Sequence, residues 1–274
     1  MKIFITGGCG FIGSHVLKAL LAAGHSVRAL RRTGSMPRIP LEVEPKWIEG
    51  DLSNFSQSAL DDCDVFIHLA AAGVHDLNDW NACFDVNVTQ SIQIWRQAVA
   101  AGIKQFIITG SCFEYGLSAE RYERIPVDAP LLPTAAYHAS KASASMAAMA
   151  LCVEHRLNLS ILRPFHVYGE GEAETRFWPA LRNAAFSGND FLMTRGEQVR
   201  DFINVEDVAR KYIEVMLNPP EPKKCQIMNV GLGSPMSLHT FADCWWGKWS
   251  ARGALKIGSV PYRPGEVMRY VPEI

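Results

Sequence analysis

Tyr137 and Lys141 stand four residues apart in Tyr137-His-Ala-Ser-Lys141, a spacing that stacks two side chains on one face of a helix. An ammonium beside a phenol favours the phenolate and lowers a pKa that starts near ~10. Tyr137 is therefore a candidate general acid/base at neutral pH, although the same spacing also arises by chance on solvated helices. Its neighbours in chain order give it a context. A glycine-rich loop, Gly7-Gly-Cys-Gly10-Phe11-Ile12-Gly13, opens the chain, and the turn Gly110-Ser111-Cys112 follows an apolar run between loop and pair. A nucleotide cradle, a hydroxyl and a phenol–ammonium pair are the parts of a redox site.

These parts need a scaffold that brings them together. Ile3-Phe-Ile5 reads as a strand, and Ile12, Val16, Leu20 and Ala23 follow at helical spacing. Further apolar, β-rich runs lie at 25–30, 46–49, 64–69, 105–109 and 159–162, with long helical patterns at 80–101 and 136–156. Alternation of helices with nearly all-apolar strands is the signature of an α/β fold, a Rossmann-type doubly wound parallel sheet. Ligands bind such sheets beyond the carboxyl ends of the strands. After Pro164 the pattern is irregular and punctuated by Gly and Pro. The expected division is a nucleotide-binding domain over 1–163 and a smaller, interleaved C-terminal substrate lobe over 164–274, with a strand near 226–230 returning to the first.

The loop sits where a dinucleotide fingerprint belongs, after a strand and opening a helix. Its first glycine allows the tight turn, the second the close approach of a pyrophosphate, the third close helix–strand packing. Free N–H groups at the helix start then hold the anion. Sites that select NAD usually end the second strand on an acidic residue. Here that strand ends on Arg31-Arg32. The two guanidiniums either clamp a 2′-phosphate or form a solvated loop face. The first option makes NADP(H) the favoured cofactor, with NAD(H) possible.

Bulk composition narrows the class. The chain has 274 residues, 48% hydrophobic and 20% charged, with a net charge of −1, so electrostatics give no reason to expect a nucleic acid partner. Seven scattered cysteines without a CxxC pair argue against a disulfide framework and against a metal site. No apolar run approaches a membrane span, and the expected location is cytoplasmic, with no membrane partner.

Thr6-Gly-Gly-Cys-Gly10-Phe-Ile-Gly13 resembles the loop of the extended short-chain dehydrogenase/reductase, or NAD-dependent epimerase/dehydratase, family. The likeness continues in Phe106-Ile-Ile-Thr-Gly-Ser111-Cys-Phe-Glu-Tyr115-Gly116, in Leu162-Arg163-Pro164-Phe165-His166, in Arg200-Asp-Phe-Ile-Asn-Val-Glu-Asp207 and in Arg263-Pro-Gly-Glu. It implies catalytic roles for Ser111, Tyr137 and Lys141. It further implies cofactor contacts from Gly7, Gly10, Phe11, Ile12, Gly13, Arg31, Arg32, Asp51, Leu52, Leu69, Ala70, Ala71 and Pro164, from Tyr137 and Lys141, and from Asn87, which orders the lysine.

Substrate contacts are expected from Ser111, His166, Arg200 and Arg263, the arginines gripping a diphosphate. His166 stands where relatives often carry asparagine, and either touches the sugar or packs. Asp207 is read as a fold-stabilising or helix-capping residue, and at least one of Trp245, Trp246 and Trp249 as core. His75 and Asp76 lie in a loop that could reach the substrate, though most loop histidines do not. Dehydratases of the family place Asp-Glu after the catalytic hydroxyl residue, where this chain has Cys112-Phe113, which argues against water elimination. The resemblance implies an NADPH-dependent reductase of a nucleotide-linked 4-keto-deoxy or dideoxy sugar. The alternatives are a 4-epimerase with retained NAD and a non-catalytic NADP(H)-binding protein. A homodimer through the two long helices is expected. The chain is short for the family, which implies a minimal lobe or a truncated record.

Overall fold

Seven short apolar runs pair edge to edge in the computed structural model, which describes residues 1–74, 76–263 and 265–274. They are β1 (Lys2–Thr6), β2 (Ser26–Arg31), β3 (Lys46–Glu49), β4 (Val65–His68), β5 (Gln105–Thr109), β6 (Asn158–Pro164) and, after three strands of the second lobe, β10 (Cys225–Val230). Every pairing is parallel, in the spatial order β10-β6-β5-β4-β1-β2-β3. The chain winds outward from β1 in both directions, so a crevice opens between β1 and β4 at their carboxyl ends. This is the doubly wound α/β sheet expected from the sequence.

Strand alternation sends side chains to two buried layers. On one face Phe4, Phe66 and Phe106 form a ladder across β1, β4 and β5, with ring centroids 5.7 and 5.3 Å apart. Against it lie α2 (Trp80–Phe84), a π-helical segment Asp85–Gln90, α3 (Ser91–Ala100) and α4 (Ala136–His155). On the other face Ile3, Ile5, Ile67 and Ile107 meet Val16, Leu17 and Leu20 of α1 (Phe11–Ala22). Val208, Tyr212 and Met216 of a late helix complete that layer.

The second lobe is built from short pieces. β7 (His166–Tyr168), β9 (Val199–Asn204), β11 (Pro235–Ser237) and β13 (Arg269–Tyr270) form one small sheet. β8 (Phe191–Met193) pairs with β12 (Leu255–Ile257) beside α5 (Phe177–Ser187) and α7 (Leu238–Lys248). The late helix covering the large sheet is α6 (Val205–Leu217), which starts directly where β9 ends.

Three local expectations are corrected. The pattern at 80–101 reads as one helix, but the π-helical turn divides it, in the segment that carries Asn87; such insertions are frequent at functional sites. None of Trp245, Trp246 and Trp249 is fully buried: all three are partly buried, packed on a small cluster of Leu181, Met193 and Ala242. Asp207 does not cap α6, because Asn204 does so by accepting the N–H of Glu206, while Asp207 pairs with Arg210 on the helix surface. No helix among the described residues is long and apolar enough to cross a membrane.

Candidate active site

A cleft of about 1800 Å³ runs along the carboxyl ends of the large sheet and under the second lobe. That exceeds the usual volume of a single small-ligand pocket and leaves room for a dinucleotide and a second ligand. Of the residues singled out above for catalysis, cofactor or substrate, all but Asn87 line it. Asp76 lines it as well, whereas His75, like Pro264 of the late Arg-Pro-Gly-Glu segment, lies outside the described residues.

At one end the glycine loop wraps the start of α1. Gly7 has φ +74°, the left-handed region that glycine enters without strain. A Cβ on Gly13 would lie 2.0 Å from the Gly7 carbonyl oxygen, so the loop closes only over glycine. Gly10 caps the helix with no side-chain acceptor, and the first turn carries no acidic residue. The N–H groups and positive dipole end of α1 therefore face the cleft uncompensated, a ready site for a pyrophosphate. The residues present fit a dinucleotide.

The two arginines of β2 differ. Arg31 lies opposite Glu49 of β3 and bonds it at 2.8 Å, with its guanidinium 4.4 Å above the Trp47 ring. Arg32 is exposed, and no salt bridge holds it among the described residues. Arg38 and Ser35 line the same end of the cleft. Asp51 accepts from the N–H groups of Ser53 and Asn54 and from the Ser53 hydroxyl, and these bonds hold its carboxyl below the usual range.

At the centre, α4 begins at Ala136, so Tyr137 occupies its first turn with Lys141 one turn on. Ser111 ends the turn after β5 and is buried, as is Lys141. Burial pushes the Tyr137 phenol up, and the chief opposing influence is a hydrogen bond with the Ser111 hydroxyl. The net shift is opposite to the lowering that the Tyr137–Lys141 spacing suggests, because burial outweighs it; the Lys141 ammonium donates to the Thr109 carbonyl at 2.5 Å. Asn87 also acts at one remove from the lysine. Its amide donates to Ala72 O at 3.0 Å and Ser140 Oγ at 2.9 Å and accepts Ala72 N–H at 2.8 Å, bracing the loop after β4 against α4.

On the substrate side, His166 packs edge-on to Phe113 and Tyr270, and its Nδ1 is buried without a partner. His138 stacks on the other face of this cluster, 4.9 Å from Phe113, with Nε2 likewise unpartnered. Burial pushes both imidazoles down, His166 well below its ordinary value, so both are neutral at neutral pH. Arg200 reaches the cleft braced by Glu266 at 3.1 Å and the Val267 carbonyl at 2.7 Å. Sequence reading passed over His138, Thr109 and the fully buried Asp201, which holds the N–H groups of Leu232 and Ser234. Thr109 and Asp201 carry no spacing signal, since their partners are distant in sequence. His138 bonds Thr134 one turn back but is placed in the cleft by its stacking on the remote Phe113.

A sequence model described as the NAD dependent epimerase/dehydratase family matches residues 3–231. The chain belongs to that family. Members similar to it include UDP-glucose 4-epimerase of Corynebacterium glutamicum, 26% identical, with 87% of this chain and 77% of the relative covered. CDP-abequose synthase of Salmonella typhimurium is 27% identical, covering 97% and 87% respectively. Among solved structures, MoeE5 in complex with UDP-glucuronic acid and NAD superposes with a TM-score of 0.83 at 25% identity, over 100% of this chain and 90% of that one. This family member is thus an enzyme of the extended short-chain dehydrogenase/reductase type, and its relatives are nucleotide-sugar epimerases, dehydratases and dehydrogenases.

Proposed function

We propose that the chain is an NADPH-dependent reductase of a nucleotide-linked 4-keto-deoxy sugar. The observation that carries this is the meeting of Ser111, Tyr137 and Lys141 in one cleft, with no carboxylic acid at the two positions that follow Ser111. Cys112 and Phe113 occupy the positions where dehydratases of the family carry carboxylates. Glu114, the next residue, is buried in an ion pair with Arg163. NADPH when bound supplies a hydride to the carbonyl carbon, while the oxygen takes the proton of Tyr137 and the ketone becomes an alcohol. Ser111 orients that oxygen by hydrogen bonding. Lys141 keeps positive charge beside the developing tyrosinate. Arg200 and Arg263 grip the diphosphate.

Arg32, Arg38 and Ser35, with no free carboxylate at the end of β2, support a 2′-phosphate and hence NADP(H). The likeness to CDP-abequose synthase supports a deoxy-sugar product. A homodimer is supported by α4, whose Met146 and Val153 are 55% and 66% exposed. The seven unbridged cysteines support a reducing compartment.

A second reading, a 4-epimerase with retained NAD, is favoured by the several relatives so named. Incubating the protein with NADPH and CDP-, dTDP- and UDP-linked 4-keto-6-deoxy sugars separates the two. The proposal expects one NADPH consumed per sugar reduced, and a loss of about 10²–10⁴-fold in rate for Tyr137→Phe. Inversion at C4 of the corresponding 4-hydroxy nucleotide sugars, assayed in parallel, without net cofactor loss and by protein that retains NAD on purification, would establish the epimerase.

A further inference from the structure

The turn that carries Ser111 is built around a carboxylate that the redox chemistry leaves unused. Glu114 is fully buried, and its Oε2 pairs with Nε of the equally buried Arg163 at 2.9 Å. Its Oε1 accepts the backbone N–H of Ser111 at 2.8 Å, while the Ser111 hydroxyl accepts that of Phe113 at 3.2 Å. Together these bonds close a capping box. Ser145, one turn beyond Lys141 on the same face of α4, donates to Oε2 at 3.0 Å. Gly110 makes the approach possible. A Cβ there would stand 2.6 Å from Oε1 and 3.0 Å from Arg163 Cγ, and the position has no left-handed backbone to demand glycine otherwise.

Charge balance around this carboxylate points to Lys141. Arg163 is divided between Glu114, the Tyr115 hydroxyl at 2.9 Å and the Val127 carbonyl at 3.0 Å. The other ionisable groups facing the pair are His68 of β4, Cys112, Tyr115 and Tyr137. Burial pushes His68 down to about 3 and Cys112 up to about 12, and raises both phenols. That leaves Glu114, Arg163 and Lys141 acting on one another, with burial raising the Glu114 carboxyl and first Arg163, then Lys141, pulling it back down. Burial pushes the Lys141 ammonium down, and Glu114 is what pushes it back up.

We propose that Glu114 is a positioning residue of the redox site, its carboxylate fixing the Ser111 turn and serving as the counter-charge of Lys141. The functional half of this rests on the reading of Ser111, Tyr137 and Lys141 given above. Glu114→Gln keeps the size of the side chain and an acceptor for the Ser111 N–H while removing the charge. Lysine-selective ¹³Cε NMR of the full chain, with the Lys141 signal identified by its loss in Lys141→Met, reads the ammonium without any ligand.

The Lys141 pKa is expected to fall by about 1–3 units in Glu114→Gln, as for loss of a close counter-charge. NADPH affinity, titrated between pH 6 and 9, should weaken at a correspondingly lower pH than in the parent. Should the unpaired Arg163 prevent folding, Glu114→Gln with Arg163→Met takes its place. The fall is expected there too, because the carboxylate is absent from both variants. An unmoved Lys141 pKa in either folded variant overturns the proposal. A lowered pKa with NADPH affinity unaffected by pH, by Glu114→Gln and by Lys141→Met alike upholds the charge pair and overturns the redox reading of the lysine.

Discussion

At the scale of single residues, the cleft keeps polar groups that folding alone would not leave unpaired. Glu172 is one: its Oε2 is buried without a partner, and burial raises its carboxyl from 4.5 to about 7 against the opposing pull of Arg176. Its folded pKa lies above its unfolded one, so the folded state holds the extra proton between the two values. Stability therefore falls as pH rises through that window, and the loss is complete above pH 7. Glu172→Gln should recover on the order of 1 kcal/mol at pH 8, discounted for the partial exposure of the side chain, and little at pH 5. Urea unfolding at both pH values checks this. An equal gain at each would assign the effect to packing. No spacing in the sequence marks Glu172, because its burden comes from the folded cleft. Tyr137 and Lys141 were legible because a helix fixes their relation over one turn. The link from Lys141 to Thr109 crosses 32 residues and was not.

At the scale of elements, glycine shows how one substitution can take opposite signs. Gly13 sits in the first turns of α1, where alanine is intrinsically better by about 1 kcal/mol. Yet a Cβ there would meet the Gly7 oxygen at 2.0 Å and the Gly7 carbon at 2.8 Å. Gly13→Ala must spread the loop, at a cost of about 1–3 kcal/mol, and should abolish measurable NADPH binding. Gly247 lies in α7 with nothing within 4 Å of its would-be Cβ, so Gly247→Ala should stabilise by about 0.5–1 kcal/mol. Thermal melts of the two variants test the contrast, and two shifts of the same sign would defeat it. The strands and α4 were readable because apolar periodicity records burial. The π-helical turn at Asp85–Gln90 was not, since a one-residue insertion leaves that periodicity nearly intact. Nor was the engagement of Arg31 by Glu49, which depends on the β2–β3 register and not on either residue's neighbours.

For the molecule as a whole, the question is whether 1–163 and 164–274 behave as separable parts. The chain crosses between them repeatedly. β10 extends the large sheet along the whole length of β6, pairing from Cys225–Leu159 to Val230–Pro164. α6 follows β9 of the small sheet without a linker, yet buries Val208, Tyr212 and Met216 against the layer built on β1 and α1. Tyr212 also bonds Thr109 at 2.6 Å, and the Thr109 carbonyl is the group that receives Lys141. Asn229 of β10 accepts the Tyr115 hydroxyl at 2.7 Å, tying the Ser111 turn to the same strand. A chain ending at 163 would expose the edge of β6 and one apolar face of the sheet. Each is a site for aggregation. Fragment 1–163 is therefore expected to be unfolded or aggregated and to bind no NADPH, and the intact chain to melt in one transition with equal calorimetric and van't Hoff enthalpies. The tryptophans lie in both parts, Trp47, Trp80 and Trp95 in the first and Trp178, Trp245, Trp246 and Trp249 in the second, so fluorescence follows both at once. A folded, NADPH-binding fragment or a biphasic melt would mean that β10 and α6 decorate the nucleotide-binding part instead of completing it. The catalytic turn would then owe its shape to local bonds alone.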